Sequence, residues 1–196
     1  MTIPMTPAML ERFQQGFERA RQAGIPEVNA MTLATVGPQG RPSARTVLLK
    51  DADVGGFVFY TNLNSRKGRH LADNPSVSLV FWWRETAEQV LVDGRVEAVS
   101  QVEADAYFAS RPRGSQIGAW ASLQSQTLES RQSLLDRIAE IEARYEGREV
   151  PRPEHWSGFR VRPQRVEFWY GREYRLHERI CCELADGGWQ ETLLYP

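Results

Sequence analysis

Two hydrophobic periods alternate along this chain. From Thr6 to about Ala23, Met9, Phe13, Phe17 and Ala20 recur at helical spacing behind a Thr6-Pro7 start, which predicts one amphipathic helix ending at Gly24. The period then drops to two. β-Branched runs at 30–36 and 44–50 flank a turn-rich segment at 37–42, and further strands are predicted over 57–61, 76–83 and 88–99, with 51–56 as a loop. Between them Asn64-Ser65 opens a short helix that Asn74-Pro75 stops. Helices return over 101–110 and from about 127 to 145, with 111–115 read as a turn, and a proline-marked loop runs from 147 to 155.

The last part of the chain reads as strands at 158–162 and around 189–194 with a hairpin between them. In that hairpin Val166, Phe168 and Tyr170 alternate with polar neighbours, Gly171 turns, and Tyr174, Leu176 and Glu178 resume the alternation. Arg175, His177 and Arg179 would then share one strand face and present an imidazole between two permanent cations, an anion-binding arrangement with a titratable group in it. Strands in near succession, with helices as excursions, predict a mainly β fold with inserted helices. An antiparallel barrel fits this order better than βαβ units. The expected organisation is a single domain over 1–196, with an N-terminal helix over 1–24 and a C-terminal hairpin region over 164–196.

Composition narrows the function. Among 196 residues, 24 basic side chains balance 25 acidic ones for a net charge of −1, so no global field draws the chain to nucleic acid or to a membrane, and any anion site must be local. Cys181 and Cys182 are adjacent and are the sole cysteines, which excludes an ordinary disulfide framework and offers no zinc-ligand spacing. The N-terminus lacks the regions of a signal peptide, and no apolar run approaches a membrane span of roughly 20 residues, so a soluble, cytoplasmic protein is expected. There is no glycine-rich phosphate loop, no His-x-x-x-His and no Gly-x-Ser-x-Gly, and no metal site is expected.

What remains is a set of cations on or beside strands. They are Arg45 and Lys50, Arg66 and Lys67, Arg111 and Arg113, and Arg175 and Arg179, near Tyr60, Thr61, Tyr107, Ser115 and Trp169. Together they suggest two phosphate-sized pockets with aromatic walls. Arg66, Lys67 and Arg69 crowd the start of a helix whose N-terminal dipole is already positive, a placement that makes sense if an anion sits there. Trp82, Trp83, Trp120 and Trp156 read as packing residues in the core or at a subunit interface, and the cysteines as small buried or rim residues.

The motifs at 44–50, at 59–62 with 65–67, at 107–112 with 115–120, and the hairpin at 167–179 occur in an order that resembles the pyridoxine/pyridoxamine 5′-phosphate oxidases from about Asn29 to Arg179. The resemblance implies an FMN-binding split β-barrel homodimer with its clefts at the subunit interface. It implies an FMN-dependent oxidase that uses O2, releases H2O2 and makes pyridoxal 5′-phosphate from pyridoxamine or pyridoxine 5′-phosphate. By the same resemblance Arg45, Arg66 and Lys67 hold the flavin phosphate. Val47, Leu48, Lys50, Tyr60, Thr61, Gln89, Gln124, Ser125, Trp169 and Arg179 complete the cofactor site. Lys50, Tyr107, Arg111 and Ser115 hold the substrate phosphate, while Arg175 and His177 lie over the substrate ring as the catalytic pair and assist proton removal.

The sequence departs from the family pattern at four places. The arm that usually precedes the first helix is essentially absent, Glu88 stands where an arginine usually precedes the flavin-contacting Gln89, Tyr170 follows Phe-Trp, and the chain ends Leu193-Leu194-Tyr195-Pro196. These departures, with the segment Trp83 to Thr86, are similar to the flavin oxidases of phenazine biosynthesis, which act on reduced phenazine-carboxylic acid precursors. Two substrates therefore stay open, a vitamin B6 phosphate or a reduced phenazine, beside a third reading as a non-catalytic flavin-binding protein.

Overall fold

The structure, a computed structural model, describes residues 3–196. Helix α1 (Pro7–Gln22) begins where the Thr6 hydroxyl accepts from the Met9 amide, and Pro7 occupies the first turn. The strands β1 (Ala30–Val36), β2 (Pro42–Leu48), β3 (Asp51–Asp53), β4 (Gly56–Asn62), β5 (Ser76–Trp83), β6 (Glu88–Ala98), β7 (Trp156–Tyr170), β8 (Glu178–Ala185) and β9 (Gly188–Leu194) form one nine-stranded sheet. Every pairing in it is antiparallel. Its order is β2-β1-β5-β6-β7-β4-β3, with β8 on β7 and β9 on β8. The fold is therefore mainly β with inserted helices, a curled antiparallel half-barrel of the split-barrel kind.

β7 makes this topology possible. Its first half pairs with β4 over 156–161 and its second half with β8 over 165–170, so one long strand serves two neighbours on the same edge. Pro163 falls in the gap, where its missing N–H deprives neither ladder, and the β6–β7 register shifts beside it at Asp93 and Gly94. The strands predicted at 158–162 and 166–170 are thus one strand.

Phe13 of α1 stacks edge-on against Phe57 at 5.0 Å and Phe81 at 5.1 Å, anchoring the helix over the main core. A second core of Phe108, Ile117, Ile141, Tyr145 and Trp156 is built by α3 (Gln101–Ser110), α4 (Arg113–Ala121) and α5 (Arg131–Arg144) against the start of β7. The segment read as a turn at 111–115 instead runs into α4, with Pro112 as its cap residue. Its local Pro, Gly and Ser are turn formers, but the helix is set by burying Ile117 and Ala121. Asp51–Asp53, read as loop, is a short edge strand. No helix among the described residues is long and apolar enough to cross a membrane.

Candidate functional site

A cleft of about 650 Å³ opens between β2, β4, α3 and α4. Val47, Leu48 and Lys50 line it from β2 and the residues after it, Tyr60 and Thr61 from β4, and Lys67 from α2 (Arg66–Asp73). Tyr107, Arg111, Ser115 and Gln124 line it from the helical side. Ten residues expected at a cofactor or substrate site thus meet in one cavity.

The cleft is organised by its cations. Lys67 Nζ donates to Thr61 Oγ1 at 3.1 Å and to Gln124 Oε1 at 2.9 Å. Arg45 lies behind it, donating to the Leu33 carbonyl at 3.0 Å, Thr35 Oγ1 at 2.8 Å and Ser43 Oγ at 2.8 Å. Among the described residues no carboxylate pairs with Arg45, Lys50, Arg66, Lys67 or Arg111, while other arginines of the chain find acids. Burial, then the charge of Arg66, pushes the Arg45 guanidinium below its ordinary pKa, and burial, then the charge of Arg45, does the same to the Lys67 ammonium. Crowded, partly dehydrated cations without a counter-ion, beside a helix N-terminus that Ser65 caps, are suited to an anion.

A second group of cleft residues gathers aromatic rings around another cation, Arg111. Tyr60, Tyr107 and Trp156 form a cluster of nearly parallel rings, with centroids 4.0 Å apart for Tyr60 and Tyr107, 5.2 Å for Tyr60 and Trp156 and 6.1 Å for Tyr107 and Trp156. Its strand partner is Gly158, where an added Cβ would come 2.6 Å from the Tyr60 ring, so only glycine lets the ring lie there. Burial pushes the Tyr60 phenol up to about 12, which keeps it a hydrogen-bond donor. Arg111 lies over the Trp156 face at 4.7 Å, burial lowers its pKa, and its Nη1 is buried without any hydrogen-bond partner. A buried, unsatisfied guanidinium nitrogen on a cleft wall calls for an acceptor from a ligand. Trp156, read from the sequence as packing, is buried in the second core as expected and also lines the cleft, where its ring lies nearly parallel to that of Tyr60.

A second group of expected residues does not line this cleft. Gln89, Trp169 and Arg179 are register partners across β6, β7 and β8, on the face of the sheet that also carries the half-exposed Trp82. Arg179 is held there by Glu167, whose buried carboxylate accepts from Arg179 Nε at 2.7 Å and also pairs with Arg165. Arg175, His177 and Arg179 do not share a strand face. β8 begins only at Glu178, and Tyr174 and Arg175 take left-handed backbone angles, φ 55° and 62°, in the connecting loop. His177 packs on Trp169 at 4.5 Å and its Nδ1 accepts from the Arg172 amide at 3.2 Å, so the neutral ring carries its proton on Nε2. As placed, Nε2 is a donor and neither nitrogen is a free base. Ser125 is exposed, φ 71°, and does not line the cleft, and neither does Arg66.

Two of the departures lie away from the site. Glu88 and Tyr170 are register partners and face α1, opposite to Gln89 and Trp169. Arg19 of α1 donates to both Glu88 oxygens, at 2.8 and 2.7 Å, and Gly16 makes room, since a Cβ there would meet Trp83 at 3.0 Å and Glu88 at 3.1 Å. Tyr170 packs under the same helix. Glu88 and Tyr170 dock α1 and form no part of a substrate rim.

Residues 17–145 match the family described as pyridoxamine 5′-phosphate oxidase, and residues 156–196 match the pyridoxine 5′-phosphate oxidase C-terminal dimerisation region. A pyridoxine/pyridoxamine 5′-phosphate oxidase of Myxococcus xanthus is 57% identical over 99% of this chain and 94% of its own. One of Rubrobacter xylanophilus is 55% identical over 97% of this chain and 88% of its own. Among solved structures, PhzG from Burkholderia lata in complex with tetrahydrophenazine-1-carboxylic acid superposes with a TM-score of 0.91 at 33% identity, covering 98% of this chain and 94% of that one.

Proposed function

This chain belongs to the pyridoxine/pyridoxamine 5′-phosphate oxidase family, and from that premise we propose that it is an FMN-dependent oxidase converting pyridoxamine or pyridoxine 5′-phosphate to pyridoxal 5′-phosphate. The observation that carries the substrate assignment is Arg111 Nη1, buried and unpartnered on a cleft wall shared with Lys50, Tyr107 and Ser115. These groups fit a phosphate monoester in the cleft, while Lys67 on its wall, with Arg45 and Arg66 beside it and outside the lining, fits the FMN phosphate, none of the three having an acidic partner among the described residues. Two anion positions in one cleft match a phosphorylated cofactor together with a phosphorylated substrate.

When bound, FMN supplies the two-electron redox chemistry, with O2 as the final acceptor and H2O2 as the product. The chain's own residues bind and orient. Thr61 and Gln124 hold Lys67 toward the flavin phosphate. The backbone and side chains of Val47 and Leu48 form a wall, and the Tyr60–Tyr107–Trp156 stack excludes water from the substrate phosphate. Gln89, Trp169, Arg175, His177 and Arg179 come from a second copy of the chain, in a homodimer with one domain over 1–196 per subunit. The exposed apolar side chains Trp82, Leu176 and Leu193 around that hairpin support such an interface. There Arg175 and the Nε2–H of His177 donate to the substrate and fix its ring. Two free, buried cysteines are consistent with a reducing, cytoplasmic setting.

The phenazine reading keeps the PhzG likeness but loses Glu88 and Tyr170 as supports, since both face α1. Steady-state H2O2 release from pyridoxamine 5′-phosphate, pyridoxine 5′-phosphate and a dihydrophenazine carboxylate decides the matter. The B6 phosphates should turn over with the higher kcat/KM, and Arg111→Met should raise their KM by about tenfold to a hundredfold as one charge-assisted phosphate contact is lost. Preference for the phenazine, or a KM unchanged in Arg111→Met, would refute the assignment. Flavin bound without any turnover would favour the non-catalytic reading.

A further inference from the structure

Thr35 and His70 touch no proposed ligand, yet they link Arg45 of β2 to the helix that carries Arg66 and Lys67. Thr35 on β1 is 1% exposed and His70 on α2 is 7% exposed, so neither polar side chain is at the surface. Thr35 Oγ1 accepts from Arg45 Nη1 at 2.8 Å and lies 3.1 Å from His70 Nδ1. The same helix carries Arg66 and Lys67 at its N-terminus, and His70 closes its last turn, accepting from the Asn74 amide through its carbonyl. The opposite edge of the imidazole lies against Gly37, where an added Cβ would be 2.7 Å from the ring, so the ring has one orientation available.

We infer that His70 and Thr35 are positioning residues for the cofactor phosphate, forming a buried relay that sets the Arg45 guanidinium from β2 in register with Arg66 and Lys67 from α2. The physical effect is preorganisation. Arg45 and the α2 cations repel one another, and in the free protein nothing acidic holds them together. The Leu33 carbonyl and Ser43 Oγ also accept from Arg45, and Thr35 is the acceptor among the three that is itself tied to α2, through His70. The hydroxyl of Thr35, held in turn by Nδ1 of His70, gives the guanidinium a fixed acceptor on its inner side, and with Leu33 and Ser43 also satisfied, Nε–H and the second Nη2–H are left for a ligand. Binding then costs less ordering of a long side chain. The cationic groups facing His70 are Arg66 and Arg69 of its own helix and Arg45 of β2, with Asp73 as the nearby acid. Burial first, then these cations, lowers the imidazole pKa, so the neutral ring is the form that holds Thr35 near neutral pH.

This inference rests on FMN being the ligand of Arg45, and the test separates the two. Full-length protein freed of flavin is titrated with FMN and with riboflavin, which lacks the phosphate, and each Kd is read from quenching of flavin fluorescence. Thr35→Val keeps the strand's shape but removes the hydroxyl, and His70→Leu keeps volume but removes the ring nitrogen. Each should weaken FMN about tenfold, as expected when a charge-assisted contact is misaligned, and leave riboflavin within about twofold. The double variant should be no weaker than either single one, because His70 acts through Thr35. His70→Asn places an amide near the Nδ1 position and should retain most of the affinity, whereas His70→Gln places it near Nε2 and should not. These two variants carry the test if His70→Leu does not fold. An FMN-to-riboflavin ratio unchanged in Thr35→Val and in the His70 variants overturns the relay alone. A parent protein that binds the two flavins equally overturns the phosphate site itself, and the relay with it.

Discussion

Arg19→Met separates a helix anchor from a substrate determinant. Arg19 makes two short hydrogen bonds to Glu88, at 2.8 and 2.7 Å, with Glu88 8% exposed and the Arg19 side chain 46% exposed. Removing one partner of a fully buried pair costs about 3–5 kcal/mol, and losing an exposed pair costs about 0–1 kcal/mol. With one partner buried and the other half in water, the loss falls between these limits, at about 2 kcal/mol. For a chain of this size that lowers Tm by about 4–8 °C. Glu88→Arg installs the residue usual in the family but sets it against Arg19, with Arg12 also near Tyr170, and should destabilise at least as much. The double swap Arg19→Glu/Glu88→Arg should recover most of the loss. The assay is calorimetric Tm alongside kcat/KM for pyridoxamine 5′-phosphate and for a dihydrophenazine carboxylate. Tm should move while the ratio of the two specificities stays within about twofold, since Gln89 and Trp169 point the other way. If Arg19→Met melts within about 1 °C of the parent, or the specificity ratio shifts by about tenfold, the docking account is wrong.

Two further predictions concern the second group of residues. Burial opposes ionisation of Glu167, but the hydrogen bonds from Arg179 and Arg165 outweigh it and hold the carboxyl below its ordinary 4.5. A depressed acid contributes stability above the unfolded pKa and loses it as pH falls through the folded one. Urea unfolding should therefore show Glu167→Gln less stable than the parent at pH 7, with the gap closing below about pH 4, and a gap independent of pH would contradict the clamp. Subunit mixing tests the shared site. Arg111→Met and His177→Ala should each be impaired alone, but co-refolded subunits in random pairs should regain about a quarter of parental activity, because half the dimers hold one intact site of two. Activity no higher than the sum of the separate variants would place both residues in one subunit's site.

Local pattern was legible where burial on one face dominates. The period-two runs at 30–36 and 76–83 emerge as β1 and β5 with those same bounds, and the Ser65 cap and Asn74-Pro75 stop bracket α2. The pattern misled where a distant partner decides the conformation. Residues 113–121 carry turn formers at their start, yet they are helical because Ile117 and Ala121 bury against α5. Residues 174–177 alternate like a strand, yet they form a loop because β8 pairs with β7 only from Glu178 onward.

The sequence by itself determined the chemical inventory: cations on or beside strands with aromatics near them, three histidines in all, and an ordered set of motifs that resembled one flavin oxidase family. Only the tertiary structure decided which of those residues act together. Side-chain direction along a strand follows from the period of two, but which face meets a cleft and which meets a helix depends on strands distant in the chain. That is why Glu88 and Gln89, neighbours in sequence, face α1 and the opposite side of the sheet respectively, and why His70, Thr35 and Trp156 meet their partners only through side chains brought beside them by folding.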